Sequence, residues 1–329
     1  MTKAILALLM AAAACGILRA AESDPPVQPR EVRKIYGDGR HNAFTALVRY
    51  RGDLWLAFRA AAAHNSTDGE IVILRSADDG QTWKEARRVN ILPDDRDPQL
   101  LIAGQRLILY DMAMDGPELT TYATYTDDGE KWSQPQKIYE PRFILWKPVA
   151  HGGKFFAAAH KKDEASGGKG REVHLVTSDD ALAWKKISTI RSGNWESETT
   201  LLFGPGDQLI AFLRQKYGSP PAQILKADPP YEKWTSRAPN VNHLSGHSVH
   251  KFRGTTYFFS RTMDYQTKQA GQMIYTYEDG KLVPYCRLPA GGDCAYAEAL
   301  EQGDEMVVSY YSSHEGTANV YLARVPLKK

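Results

Sequence analysis

The sequence has little cysteine and almost no net charge. Only 3 of its 329 residues are cysteine, and 41 Lys and Arg against 39 Asp and Glu give a formal net charge of +2. Without a basic stripe, this balance argues against a nucleic-acid partner. The sequence also lacks a CxxC pair and a nucleotide-binding motif, so we expect no metal and no cofactor. The 43% hydrophobic and 24% charged residues exclude a disordered or collagen-like chain.

A long apolar run occurs only at the N-terminus, in residues 5–18. Lys3 precedes the run, and Ala20 or Ala21 follows it as a small residue suited to cleavage, which predicts a secretory signal over residues 1–21. The alternative is a transmembrane anchor, but spanning a bilayer core takes about 20 apolar residues. We therefore expect a secreted or periplasmic protein without a membrane span.

Signal cleavage would leave two cysteines, Cys286 and Cys294, on either side of a turn that contains proline and glycine. An oxidising compartment permits a disulfide between them. Two reduced, buried thiols are the alternative. Cys15 follows three alanines and loosely resembles a lipoprotein cleavage site, which would place a lipid anchor at Cys15.

Short segments rich in β-branched and aromatic residues, bounded by Gly, Asp and Asn, predict strands throughout the rest of the chain. An Asp-containing turn closed by tryptophan recurs at residues 76–83, 125–132 and 177–184, with a degenerate copy near residue 234. Residues 277–280 hold a further turn of this kind. The tryptophans are separated by 49, 52 and 50 residues: Trp83, Trp132, Trp184 and Trp234. A turn repeated at one period indicates a repeat architecture.

Two series of polar residues follow the same period. The first lies where each unit begins, and after Asn42 in the first unit it comprises Asp97, Lys147, Glu198, His247 and Tyr296. The second lies where the next strand of each unit ends, and comprises Arg59, Asp111, His160, Arg214, Arg261 and Tyr311. Packing alone would favour Val or Ile at such positions, so their polarity points to a function.

Six units of about fifty residues predict an all-β, six-bladed β-propeller in one domain over residues 31–329. The last unit is one strand short, and residues 31–36 can supply that strand. Residues 22–30 are then a linker, and residues 163–171 an exposed hairpin tip. We expect a monomer.

In a propeller, both polar series converge on one mouth of the central channel, where a ligand pocket is expected. Arg59, Arg214 and Arg261 would bind a carboxylate there through paired hydrogen bonds. Glu198 beside Tyr296 suggests catalysis, because a carboxylate can take the proton of an attacking phenol. Taken singly, each arginine could be a solvated strand end, and the tyrosine could belong to the core.

The sequence resembles the sialidase (neuraminidase) superfamily, and exported bacterial exo-alpha-sialidase-like proteins in particular. The resemblance rests on Asp-box turns at 76–83, 125–132 and 177–184, on residues 198–202 with Leu213-Arg214, and on residues 292–296 with 308–311. It implies that Tyr296 is a nucleophile assisted by Glu198, the exception to the two-carboxylate glycosidases.

The resemblance also assigns substrate contacts. Arg214 and Arg261 would be two of three carboxylate-binding arginines. Residues 41–47 lack the family's first arginine. Arg40 lies slightly upstream, and Arg59, at the end of the next strand, could substitute for it. Asp68 would be the acid, with His64 as its partner or substitute.

The expected function is that of a secreted, retaining glycosidase that removes a terminal acidic sugar from a glycan. Arg96, Asp97, Lys147 and His247 are in phase with the pocket and could serve a different acidic-sugar hydrolase or a uronate lyase. A non-catalytic glycan-binding propeller is the remaining alternative.

Overall fold

The computed structural model describes residues 25–115, 118–161, 167, 169–216 and 222–328. These residues form 24 strands and one three-residue 3-10 helix, Pro205–Asp207. The strands make six antiparallel four-stranded sheets, which confirms the predicted six-bladed propeller. No helix in the described ranges is long and apolar enough to cross a membrane.

Each blade is a meander of strands that follow one another in the chain. Blade 1 contains β2 (His41–Tyr50), β3 (Asp53–Ala61), β4 (Glu70–Ser76) and β5 (Lys84–Val89). Blade 2 contains β6 (Asp95–Ala103), β7 (Arg106–Asp115), β8 (Glu118–Thr126) and β9 (Gln136–Lys137). Blade 3 contains β10 (Phe143–His151), β11 (Lys154–Lys161), β12 (Glu172–Ser178) and β13 (Lys185–Ser192). Blade 4 contains β14 (Glu196–Phe203), β15 (Leu209–Gln215), β16 (Ala222–Ala227) and β17 (Thr235–Arg237). Blade 5 contains β18 (Ser248–Phe252), β19 (Thr255–Met263), β20 (Ala270–Glu278) and β21 (Lys281–Leu288). Blade 6 contains β22 (Cys294–Gln302), β23 (Glu305–Ser312), β24 (Asn319–Pro326) and β1 (Glu31–Tyr36).

The first and last strands of the described chain close the ring together. β1 pairs antiparallel with β24, and Val32 lies opposite Ala323. Just before β1, the backbone N–H of Val27 donates to the carbonyl of Tyr285 at 3.1 Å. The predicted signal peptide and Cys15 lie outside the described residues, as does most of the predicted hairpin tip at 163–171.

Tryptophans of the repeated turns fill the gaps between neighbouring blades. Trp132 of blade 2 packs on a blade 1 cluster that includes Tyr50 and Trp55. Trp184 of blade 3 has its ring centroid 6.4 Å from that of Tyr110 in blade 2. Large aromatic rings bury much apolar area, so these contacts link one sheet to the next.

The aspartates of these turns hold the backbone between the third and fourth strands. The Asp180 carboxylate accepts the backbone N–H groups of Leu182 and Ala183, both at 2.8 Å. Asp128 accepts two backbone N–H groups in the same way. Asp78 accepts the backbone N–H and the hydroxyl of Thr82. A short carboxylate that bonds the backbone two residues on is the physical reason for Asp at this position.

The first strand of each blade surrounds the axis: β2, β6, β10, β14, β18 and β22 contact one another in a closed ring. Five of these strands lose register near their start, at residues 43–46, 96–99, 146–149, 196–199 and 295–298. Such β-bulges re-aim side chains. Within them Phe44, Asp97, Lys147 and Tyr296 adopt positive φ, a strained conformation that clusters at functional sites.

Cys286 and Cys294 are both free and buried in the structure, which therefore contains the reduced pair rather than the disulfide. Burial raises the pKa of Cys286 to about 12 and that of Cys294 to about 11. Both thiols thus stay protonated and unreactive in the folded protein.

Candidate active site

A cavity of about 240 Å³ opens where the innermost strands begin, and all six blades contribute to its wall. The structure brings seven of the predicted residues together there: His64, Arg96, Asp97, Glu198, Arg214, Arg261 and Tyr296. From the second polar series, His160 and Tyr311 line the cavity as well.

Tyr296, Glu198 and Arg214 form a hydrogen-bonded group in this wall. The Tyr296 hydroxyl donates to Glu198 Oε1 at 2.8 Å, and Arg214 Nη1 donates to the same oxygen at 2.9 Å. Glu198 Oε2 accepts the backbone N–H of Gly246 at 2.8 Å. The carboxylate is therefore held on both oxygens and aimed at the phenol.

Opposite pKa shifts keep this pair as a carboxylate beside a neutral phenol. Burial by itself would raise the pKa of Glu198, but the charges of Arg214 and His247 and the bonds from Gly246 and Tyr296 lower it to about 2. Burial, followed by the negative charges of Asp97 and Glu198, raises the pKa of Tyr296 well above its usual value. The Tyr296 hydroxyl therefore stays protonated and donates its proton to the Glu198 carboxylate as a hydrogen bond.

The cavity carries more positive than negative groups. Arg214 and Arg261 are joined by Arg96 and by two residues that sequence reasoning missed, Arg171 and Lys216. Arg171 had been expected at an exposed hairpin tip, but it is buried, and its Nη1 donates to the carbonyl of Glu196 at 3.0 Å. Against these five cations stand the carboxylates of Asp97 and Glu198. The wall therefore suits an anionic ligand.

Asp97 contributes a second carboxyl group to the wall. Burial raises its pKa, the Arg96 charge opposes that rise, and the Glu198 charge adds to it. The pKa of Asp97 is raised whereas that of Glu198 is lowered, so Asp97 takes up a proton more easily than Glu198 does.

Four of the predicted binding residues lie outside the cavity: Asn42, Arg59, Lys147 and His247. Lys147 pairs with Glu298 in a second cavity of about 260 Å³ further along the channel. His247 is buried, and its Nδ1 lies 2.7 Å from the Thr200 hydroxyl. Burial lowers the pKa of His247 to about 4.

The blade 1 member of the first series is Phe44 rather than Asn42. Asn42 is fully buried and donates to Asp38 Oδ1 at 2.8 Å. Phe44 occupies the bulge position that Asp97 and Tyr296 hold in their blades, and it lines the cavity. Asn42 precedes the bulge of this strand and pairs regularly with Ala60, whereas Phe44 lies inside the bulge, two positions later. Sequence spacing alone does not show where a bulge begins.

The predicted anion ligand Arg59 and the predicted acid Asp68 also lie outside the cavity. The Arg59 side chain is fully buried and pairs with Asp94 at 2.8 Å. Asp68 is half exposed, accepts the Ala62 backbone N–H at 3.1 Å and pairs with Arg40 at 3.3 Å. A hydrogen bond from Ser66, followed by the bond from the Ala62 N–H and the charge of Arg40, lowers the pKa of Asp68.

A group of two histidines and one carboxylate stands at the rim. Asp293 Oδ2 lies 2.6 Å from His64 Nδ1 and 2.8 Å from His41 Nε2, and Tyr311 donates to Oδ1 at 2.9 Å. Burial opposes ionisation of Asp293, but the bonds from His41, His64 and Tyr311 hold its pKa far below the usual range. The ligand atoms of His41, His64 and Asp293 lie within 4.8 Å of one another, so this group could also hold a divalent cation.

Solved structures with the same fold include glycosidases. A protein of unknown function from Dyadobacter fermentans is similar with a TM-score of 0.77 and 18% identity, over 92% of this chain and 100% of that one. Trypanosoma rangeli sialidase is similar with a TM-score of 0.67 and 13% identity, over 93% of this chain and 58% of that one. The endosialidase of phage phi92 is similar with a TM-score of 0.66 and 10% identity, over 91% of this chain and 69% of that one. No family model and no curated protein matches the sequence. At these identities the likeness shows the sialidase-like propeller fold alone.

Proposed function

We propose that the protein is a secreted, retaining glycoside hydrolase that removes a terminal sugar bearing a carboxylate from a glycan. One observation carries the proposal: the Tyr296 hydroxyl donates to Glu198 at 2.8 Å in the wall of a cation-rich cavity. Two proteins of the same fold, from Trypanosoma rangeli and phage phi92, are a sialidase and an endosialidase. Residues 1–21 would direct export and be removed.

The cations of the cavity bind the carboxylate of the sugar. Arg214 and Arg261 present guanidinium groups that stay charged at any relevant pH, and they grip a carboxylate through paired N–H bonds. The contacts of Arg261 with the Gly292 carbonyl, at 3.4 Å, and with Asp293, at 4.0 Å, are both long. A bound carboxylate can therefore compete with them for this guanidinium.

Tyr296 then attacks the anomeric carbon while Glu198 takes its proton. A carboxylate with a pKa of about 2 is a weak base, because Arg214 stabilises its charge. A bound sugar carboxylate draws on the same Arg214 charge, which raises the basicity of Glu198 only when substrate is present. A neutral phenol also approaches an anionic sugar without charge repulsion.

The test is turnover of aryl sialosides, aryl uronides and neutral aryl glycosides by the purified mature protein. We expect release of the aryl group from one acidic class, and a loss of at least about 100-fold in kcat in Tyr296→Phe and Glu198→Gln. Tyr265→Phe, which alters an exposed tyrosine, is the matched control. Full activity in both variants would refute the assignment of Tyr296 as nucleophile and Glu198 as its base.

A uronate lyase is the second candidate, because His64 and Tyr296, two side chains able to carry protons, line one cavity with arginines. A lyase leaves an unsaturated sugar that absorbs in the near ultraviolet, whereas a hydrolase does not. Saturable glycan binding without turnover of any substrate would instead indicate a binding propeller.

A further inference from the structure

We propose that His64, rather than Asp68, exchanges the proton with the glycosidic oxygen during hydrolysis. This inference rests on the proposed function and names the residue that completes it. Asp293 is the positioning residue behind His64.

The contacts of His64 leave one ring nitrogen for a ligand. Nδ1 lies 2.6 Å from Asp293 Oδ2, so Nε2 is the nitrogen that a ligand in the cavity can reach. Asp293 is itself fixed by His41 and by the Tyr311 hydroxyl. A carboxylate on Nδ1 selects the tautomer and stabilises the imidazolium, as in other catalytic Asp–His pairs.

Three residues of the predicted site support the loop that carries His64: Arg59, Arg96 and Asp68. Arg59 donates to the carbonyls of Ala63 and Ser66, at 3.1 and 2.8 Å. Arg96 Nη2 donates to the carbonyl of His64 at 2.8 Å. Asp68 accepts the backbone N–H of Ala62.

Two buried or half-buried arginines and one carboxylate thus hold the backbone on both sides of His64. A loop held in this way presents its side chain in one orientation, which a proton-transfer residue requires. The same contacts keep Asp68 turned into its own loop.

Phe44 packs edge to face against both the proposed proton donor and the nucleophile. Its ring centroid lies 5.4 Å from that of His64 and 4.9 Å from that of Tyr296. A sugar ring resting on Phe44 would have its anomeric carbon toward Tyr296 and its leaving oxygen toward His64. This places acid and nucleophile on opposite sides of the bond that breaks.

In the first step the Tyr296 oxygen bonds to the anomeric carbon and its proton passes to Glu198. The glycosidic C–O bond breaks, its electron pair stays on the leaving oxygen, and that oxygen takes the proton of His64 Nε2. In the second step neutral Nε2 accepts a proton from water as the water oxygen bonds to the anomeric carbon. The bond to Tyr296 breaks, and the phenolate regains its proton from Glu198.

The experiment compares glycosides of one acidic sugar with a good leaving group, dinitrophenol, and a poor one, an alkyl alcohol. A good leaving group departs without a proton, so only the poor one depends on the acid. For His64→Gln we expect a kcat/KM within about 10-fold of wild type on the aryl substrate and a loss of at least about 100-fold on the alkyl substrate. Azide should accelerate the variant on the aryl substrate and give the glycosyl azide.

Asp68→Asn tests the competing residue. Its amide oxygen can still accept the Ala62 N–H that holds the loop of His64, so the variant should keep the wild-type ratio of the two rates. Asp293→Asn should show a weaker form of the His64→Gln pattern, with thermal melts reporting whether each variant is folded. An equal loss on both substrates in His64→Gln, a selective loss in Asp68→Asn, or inactivation of wild type by a chelator would overturn the proposal. Wild-type protein that cleaves neither substrate would refute the proposed function, and this inference with it.

Discussion

At the scale of single residues, the ionised carboxylate of Glu198 belongs to the candidate active site and also contributes to the stability of the folded protein. Its charge is compensated by Arg214 and by the N–H of Gly246, which lower its pKa to about 2 although the side chain is buried. A group with a depressed pKa in the folded state stabilises that state above its unfolded pKa of about 4.3. The stabilisation is lost as pH falls toward 2.

We therefore expect wild-type protein to lose up to about 3 kcal/mol from this one group between about pH 4.5 and pH 2. Glu198→Gln lacks this contribution, so its free energy of unfolding should be lower at pH 7 and should fall less steeply in acid. Urea unfolding at a series of pH values measures both. Glu301→Gln, at a partly exposed ion pair, is the control, and identical acid profiles for wild type and Glu198→Gln would contradict the expectation.

At the scale of elements, the repeated Asp turns separate a structural aspartate from a neighbour that resembles it. Asp180 accepts two backbone N–H groups and the Ser178 hydroxyl. Asp179, the preceding residue, bonds only Lys154 among the contacts described, and its side chain is 79% exposed. The two aspartates are thus a matched pair within one turn.

Asp180→Ala should lower the free energy of unfolding by about 1–2 kcal/mol, because it removes the acceptor of two backbone N–H groups and of the Ser178 hydroxyl. Asp179→Ala should change it by no more than about 0.5 kcal/mol, as exposed ion pairs contribute little. Thermal and urea denaturation of the two variants give the comparison. A larger effect at position 179 than at 180 would show that the turn does not depend on the backbone bonds.

The bulges act on the same scale. Sequence spacing placed the first polar series at one phase, but the register places Phe44, Asp97 and Tyr296 at the bulge and leaves Asn42 in the interior. A bulge leaves its extra residue unpaired and bends the strand, and the spacing of residues along the chain does not show which residue takes that place.

At the scale of the whole molecule, stability depends on closing the ring. β1 is separated from β24 by nearly the whole chain, and it covers the hydrogen-bonding edge of the last blade. An uncovered edge strand pairs with other molecules. Closure thus protects both the fold and the mouth that the blades share.

A chain beginning at residue 37 should melt at a lower temperature and form aggregates, whereas one beginning at residue 25 keeps β1 and should stay folded and monodisperse. Circular dichroism melts and size-exclusion chromatography measure these outcomes. Equal melting temperatures and a monodisperse shorter chain would show that β1 contributes little.

The sequence by itself determined the blade number, since a turn with Asp and Trp recurs every fifty residues. It also singled out Tyr296, Glu198, Arg214 and Arg261, which recur in phase with the blades. These are local and periodic signals, and propeller symmetry converts their period directly into position around the axis.

Only the tertiary structure decided which polar residues face the cavity. Arg59 and Asp68 turned out to hold the loop of His64, and Arg171 to belong to the wall. Asp293 came to lie beside His41 and His64, far away in sequence. The direction of a side chain depends on bulges, on burial and on partners from other blades. The spacing of residues along the chain does not reveal these features, because they arise only when distant segments pack together.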